Sequence, residues 1–143
     1  MSDLYSITQE NSNVEVYLSP VEGIPGAIFY GWKGYLAGEH YRNALLRLID
    51  ELENRRIRYV LHDYSKIRVI HPSDQLWFNN KAIPMLNSSQ VTHSFMVKPE
   101  DPMAQRCLYQ MSGKSDPYLY HEIKVFDTYD EAYQALKNEV ANY

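Results

Sequence analysis

The stretch Arg58–Ser65, RYVLHDYS, is an apolar run that closes on an aspartate, a tyrosine and a serine. Open α/β sheets bind ligands beyond the carboxyl ends of their strands. Asp63, Tyr64 and Ser65 therefore stand where a carboxylate and two hydroxyls could hold a polar ligand. The same residues suit a turn, because Asp and Ser side chains hydrogen-bond their own backbone a residue or two on. Further along, Ser73 and Asp74 follow Pro72 and are residue types that cap a helix. Other chemistries find little support. His40, His62, His71, His93 and His121 have no H-x-x-x-H spacing and no C-x-x-C accompanies them, so no metal site is expected. His62 and Asp63, adjacent on a strand, point to opposite faces. His62 and His93 fall on neighbouring strands, where they either pair or are satisfied within the core. There is no G-x-S-x-G elbow, no G-x-G-x-x-G and no Walker loop, so a hydrolase using Ser65 or Ser73 ranks last and no cofactor is expected. Cys107 lies on an apolar helical stripe and reads as core rather than nucleophile.

Aromatic residues offer a second kind of site. The chain has 13 tyrosines, more than a core of this size needs, and each buried hydroxyl wants a partner. Most suit sheet edges and helix flanks; the excess points to an interface or a lined groove. Trp32 ends one strand and Trp77 opens the helix after Asp63, so both flank one end of the sheet. Together they could wall a shallow apolar pocket.

The elements that must position these residues follow from hydrophobic period and punctuation. Met1–Asn13 has no periodicity and reads as a flexible lead-in, leaving one domain over 14–143. Val14, Val16 and Leu18 alternate with polar residues, giving a half-buried strand over Val14–Ser19. Two prolines and two glycines within Pro20–Gly26 make a turn into a second strand, Ala27–Lys33, and hence an antiparallel hairpin. After Gly38, Tyr41, Ala44, Leu45, Leu48, Ile49 and Leu52 recur at helical spacing, and Asn54 and Arg55 close that helix. Ile57–Asp63 is a strand, and Tyr59–Leu61 within it is near-continuously apolar, as in a strand covered on both faces. Ser73 or Asp74 caps the next helix, which runs to about Leu86 with Leu76 among its apolar residues and Pro84 loosening its last turn. Val91–Val97 is a strand. Asp101 and Pro102 open a helix with Met103, Ala104, Cys107, Leu108 and Met111 buried and Gly113 past its end. Lys114–Pro117 is a turn, and Tyr120–Phe126 is the last strand. Thr128 and Glu131 form a capping box for a final helix with Tyr129, Ala132, Tyr133, Leu136 and Val140 inward. The order β-β-α-β-α-β-α-β-α means an α/β fold: a mainly parallel five-stranded sheet, an antiparallel N-terminal strand at or near its edge, and four helices.

At 143 residues the chain fits one domain with a full core and needs no metal or disulfide staple. Its net charge of −4 argues against a nucleic-acid backbone as the main partner. A single cysteine, no apolar leader and no run of about 20 apolar residues point to the cytoplasm and to no membrane span.

With Asp63 at a strand end, DYSKIRVIHPSD resembles the strand-to-helix loop of the STAS family, the SpoIIAA-like anti-sigma-factor antagonists of bacteria. That loop reads roughly D-L-S-x-V-x-x-[IM]-D-S-S-G. Asp63, Ser65, Ile67 and Ile70 match its aspartate, first serine and apolar positions, and Ser73 falls at the second serine of the pair. EIKVFDTYDEAYQAL is similar to the family's closing strand and helix, V-F-x-[ST]-x-x-E-A-x-x-x-L. The resemblance implies a non-enzymatic regulatory module that binds a protein partner or a second copy of itself, with a loop serine that a kinase phosphorylates. Here the family's D-S-S-G is His71-Pro72-Ser73-Asp74. The glycine is lost, and Asp74 sets a like charge beside Ser73, which opposes phosphorylation and favours plain capping. The alternative that the resemblance implies is a small-molecule or lipid carrier of the CRAL-TRIO type, with an apolar pocket near Trp32 and Trp77.

Overall fold

Two left-handed glycines make the first reversal of the chain: Gly23 and Gly26 have φ of 79° and 80°, which a Cβ disfavours. They fold β2 (Val14–Pro20) antiparallel onto β3 (Ala27–Leu36), with Leu18 opposite Tyr30. The computed structural model describes residues 5–9, 14–36, 38–107 and 122–142. Within the segment read as a flexible lead-in it places a strand, β1 (Tyr5–Gln9), antiparallel on the free edge of β2. The remaining elements are α1 (Gly38–Asn54), β4 (Tyr59–Ile70), α2 (Pro72–Trp77), a π turn (Phe78–Ala82), α3 (Ile83–Asn87), β5 (His93–Val97), helical residues 102–107 (α4), β6 (Glu122–Phe126) and α5 (Tyr129–Ala141). The sheet order is β1-β2-β3-β4-β5-β6, with β3 to β6 parallel. This is the expected mainly parallel α/β sheet, with the antiparallel hairpin next to its edge and β1 as a further strand. Expected features at Leu108, Met111, Gly113, Lys114–Pro117, Tyr120 and His121 lie outside the described residues. Among the described residues no helix is long and apolar enough to cross a membrane.

The period-2 alternation of the strands divides the core in two. Val16, Leu18, Ile28, Tyr30, Val60 and Ile67 face α1, the π turn and α4. Tyr59, Leu61, Phe95 and Val97 face Ala132 and Leu136 of α5. Each aliphatic side chain buried in either layer contributes about 1.5–3 kcal/mol. Short-range chemistry fixes the joints. α1 ends with Arg56 at φ 52°, where the Ile57 N–H reaches the Leu52 carbonyl at 3.0 Å and the Arg56 N–H reaches the Glu53 carbonyl at 3.3 Å. That is a Schellman ending with arginine in place of glycine, and it buries Ile57 as the accompanying apolar contact. At α5 the expected cap forms, the Glu131 N–H donating to Thr128 Oγ1 at 3.2 Å.

Four local expectations are corrected. β4 does not end at Asp63 but runs to Ile70. The Pro72–Leu86 helix is not uniform: Pro84 has no N–H, and in a regular α-helix its ring would crowd the Asn80 carbonyl; the chain widens just before it, Ile83 N–H bonding Phe78 O across a π turn. The N-cap of α2 is His71, not Ser73 or Asp74. Finally, Leu76 (61% exposed), Met103 (53%) and Tyr129 (42%) face outward although the helical period puts each with its helix's apolar residues.

Candidate functional site

The site begins where β4 loses a neighbour. β5 stops at Val97, opposite Asp63, and beyond that point β3 is the one strand that pairs with β4 among the described residues. Register then slips: Gly31 pairs with Asp63 but Lys33 pairs with Lys66, so three steps of β4 answer two of β3. The extra residue makes a bulge, which breaks the backbone ladder locally. Asp63 repairs it. Its Oδ1 accepts from the Ser65 N–H at 3.0 Å and from the Ser65 hydroxyl at 2.7 Å. On the far side the Ser65 carbonyl accepts from the Glu100 N–H at 3.0 Å, tying the chain after β5 to the bulge.

The bulge sits over an aromatic floor. A Cβ on Gly31 would lie 2.9 Å from the Phe29 ring, so only glycine lets that ring fold across the strand. Phe29 meets Tyr129 edge-on at 6.0 Å. Burial first, then Tyr133, Asp63 and Asp130, holds the Tyr129 phenol above its ordinary pKa, which places Asp63 within electrostatic reach of that ring. The floor therefore comes from β3 and α5, joined by a residue, Gly31, that has no side chain to mark it in the sequence.

Tyr64 takes no part in this group. It points to the opposite face, 7% exposed, with its ring 5.9 Å from Tyr30 and 5.5 Å from His62. Burial pushes its phenol well above the ordinary tyrosine range. His62 shares that face and lies 3.3 Å from Ser94 Oγ, while His93 lies in register with Tyr59 and binds Glu139 at 3.0 Å. The two histidines do not pair. Nor does His62 stand beside Ser65: they occupy opposite faces of β4, so this pair cannot act as nucleophile and base.

Ser73 lies elsewhere. From Ser65 to Ile70 the chain is strand, which at about 3.3 Å per residue carries it on the order of 15 Å before the turn into α2 begins. At that turn His71 Nδ1 accepts from the Ser73 N–H at 3.2 Å and lies 2.8 Å from the Ser73 hydroxyl. Ser73 is exposed. Asp74 is the reverse, 2% exposed, its Oδ2 accepting from the Gly38 N–H and its Oδ1 from Arg42 Nε, both at 2.9 Å. One carboxylate thus caps the start of α1, where the helix dipole favours an anion, and pins α2 against it. Arg42 also lies 5.5 Å over the Trp77 ring.

The two tryptophans do converge, but with Tyr41 between them. Its ring is 5.9 Å from Trp32 and 6.1 Å from Trp77, nearly perpendicular to the first. Trp32 is 3% exposed and donates to the Tyr35 carbonyl at 3.1 Å. Tyr41 therefore stands between the two tryptophans and packs edge-on against both. Burial, followed by Tyr64 and Asp74, raises its phenol well above the usual value. A cavity of about 390 Å³ does open at the other end of the sheet, between the Pro20–Ile28 turn, Arg55 and Ile57.

Sequence reasoning puts Asp63, Tyr64, Ser65, Ser73, Trp32 and Trp77 in one neighbourhood. The structure sorts them into three: Asp63 with Ser65 under α5, Tyr64 and the tryptophans in the opposite core, and Ser73 on the first turn of α2. His71 and Asp74 are the positioning residues that such reasoning misses. Asp74 has a readable signal as a carboxylate in a first helical turn, whereas its partner 32 residues upstream has none.

No family model matches the chain, and comparison with curated proteins finds no match. Solved structures do. The chain is similar to an anti-sigma factor antagonist from Mycobacterium paratuberculosis, at 14% identity and TM-score 0.57, over 92% of this chain and 99% of that one. It is similar to the anti-sigma factor antagonist SpoIIAA in its unphosphorylated form, at 10% identity and TM-score 0.58, over 85% and 96%. A third likeness is to an uncharacterized protein of the DUF3478 family with a SpoIIAA-like fold from Shewanella loihica, at 13% identity and TM-score 0.61, over 95% and 98%. The fold of this chain is SpoIIAA-like.

Proposed function

We propose that the chain is a non-enzymatic regulatory module of the cytoplasm that binds a protein partner through the first turns of α2. The observation that carries this reading is the contrast between Asp74 and its neighbours. A buried carboxylate locks the turn to α1, and the locked turn holds Ser73 and Leu76 out to solvent, three residues apart and so on one side of the helix. Leu76 is 61% exposed, an apolar side chain that burial in a partner would stabilise by about 1.5–3 kcal/mol. Gln75 Nε2 lies 3.7 Å from Cys107 Sγ, so α2 and α4 adjoin, and α4 also carries an exposed apolar residue, Met103. The solved antagonists of this fold, whose names declare action on another protein, support the reading. So does the pairing of Asp63 with its own Ser65, which engages the carboxylate within the chain.

The test is affinity capture with quantitative mass spectrometry, comparing the wild-type chain with Leu76→Asp. The changed side chain is exposed, so the fold and melting temperature are expected to persist while a specific partner falls at least tenfold. Capture of the same proteins in the same amounts by both chains would refute an α2 interface. Ser73→Asp in the same experiment reports whether charge at that hydroxyl matters to the contact, as the resemblance implies.

A further inference from the structure

The arm of β3 and β4 that extends past β5 carries a group of cations that the α2 reading does not use. Parallel register sets Lys33 directly against Lys66, and both are exposed. Trp32 and Ile67 are buried toward α1, so Lys33, Lys66 and Arg68 project from the other face of the sheet. Arg68 is two residues along β4 from Lys66, about 6.6 Å, and Lys33 is one strand away, about 4.8 Å. Like charges directly opposite on paired strands repel. Neither Lys33 nor Arg68 has an ion-pair partner among the described residues. Tyr35, next along β3, is 53% exposed.

The near end of this group already holds one carboxylate. Lys66 Nζ contacts both oxygens of Glu100, at 3.0 and 2.8 Å, and the pair is open to solvent. Carboxylates on alternate residues of an extended peptide repeat at about the Lys66–Arg68 spacing, so a short acidic segment can lie along β4 and meet successive cations. A polynucleotide fits less well. Glu15, in register with Lys33, and Glu100, beside Lys66, flank the patch, and the chain as a whole carries −4, so a polyanion longer than the patch meets repulsion on leaving it, whereas a short acidic segment competes only with the solvent-exposed Glu100 for Lys66.

We propose that Lys33, Lys66 and Arg68 form a docking patch for a short acidic peptide segment of a protein partner, on the sheet face opposite α2. The patch does not depend on the α2 interface. If that interface failed its own test, this one would stand or fall separately.

The experiment is fluorescence anisotropy with a labelled (Glu-Ala)4 peptide and, in parallel, a labelled eight-nucleotide thymidine strand, at 20 and 150 mM salt. The wild-type chain is expected to bind the peptide saturably at low salt, weaken as salt rises, and bind the oligonucleotide at least tenfold less well. Lys33→Glu with Arg68→Glu is expected to weaken peptide binding at least tenfold. Lys81→Glu, an exposed charge on the π turn, is expected to change it less than twofold. Four outcomes would overturn the proposal: no peptide binding at 20 mM salt, equal or tighter binding of the oligonucleotide, no loss in the double variant, or an equal loss in Lys81→Glu. Circular dichroism and melting of each variant confirm that losses are not unfolding.

Discussion

The two faces of β4 carry similar residue types and use them in opposite ways. Toward α1, Tyr64, Tyr30 and His62 are packed ring to ring, Tyr41 packs between Trp32 and Trp77, and Asp74 is spent on a helix start and an arginine. Toward α5, Asp63 and Ser65 sit half-buried at a bulge, bonded to each other within one short stretch of strand. A carboxylate in the first setting joins elements distant in sequence. In the second it mends a break in a single strand. The difference shows why an aspartate beside hydroxyls is a poor guide to function alone: the long-range carboxylate holds the exposed turn in place, and the conspicuous one mainly serves its own backbone.

The largest effect that separates the faces is alkaline. Burial raises the phenols of Tyr41 and Tyr64 above the ordinary value of 10.0, so both stay protonated in the folded chain. Below pH 10 folded and unfolded chains are alike in this respect, and the stabilisation is fully present. As pH climbs above 10 the unfolded chain loses these protons first, and stability falls toward the raised folded values. Urea titrations at pH 9, 10 and 11 are expected to show that loss, and Tyr64→Phe is expected to make it shallower. An unchanged slope in the variant would remove Tyr64 from the buried frame.

Next comes Asp74→Ala. It strips the Gly38 N–H of its acceptor and leaves the Arg42 guanidinium over Trp77 without its anion. Arg42 is 37% exposed, so water recovers part of the loss, and about 2 kcal/mol by urea denaturation is expected. Partner capture should weaken with it, because the α2 turn loses its anchor. A change below about 0.5 kcal/mol, no larger than an ordinary surface substitution causes, would mean that Asp74 does not hold the turn.

Most of the architecture was legible in the sequence because it rests on period and punctuation. Tyr41 to Leu52 gave α1 its stripe, Thr128 and Glu131 marked α5, and the two-glycine turn marked the hairpin. The site was less legible, for identifiable reasons. Ser65 to Ile70 reads as loop because the polar residues of a one-sided, bulged strand break the apolar run; pairing with β3, and the Glu100 N–H on the Ser65 carbonyl, keep it extended. β1 was hidden because a single short edge strand has little need of an apolar pattern. Trp32 and Trp77 do stand at one end of the sheet, yet that Tyr41 packs between them depends on a helix-to-sheet distance that spacing does not encode. His71 as a cap was obscured by the more usual capping residues that follow it.

The measurement that tests the division of labour most directly sets Asp63→Ala beside Leu76→Asp in one capture and one melting experiment. Asp63→Ala removes two short-range bonds at a half-buried bulge, so it is expected to cost about 0.5–1 kcal/mol and to retain the partner. Leu76→Asp is expected to leave stability within about 0.5 kcal/mol and to lose the partner. The reverse pattern, with the partner lost on Asp63→Ala and kept on Leu76→Asp, would move the interface from α2 to the bulge of β4.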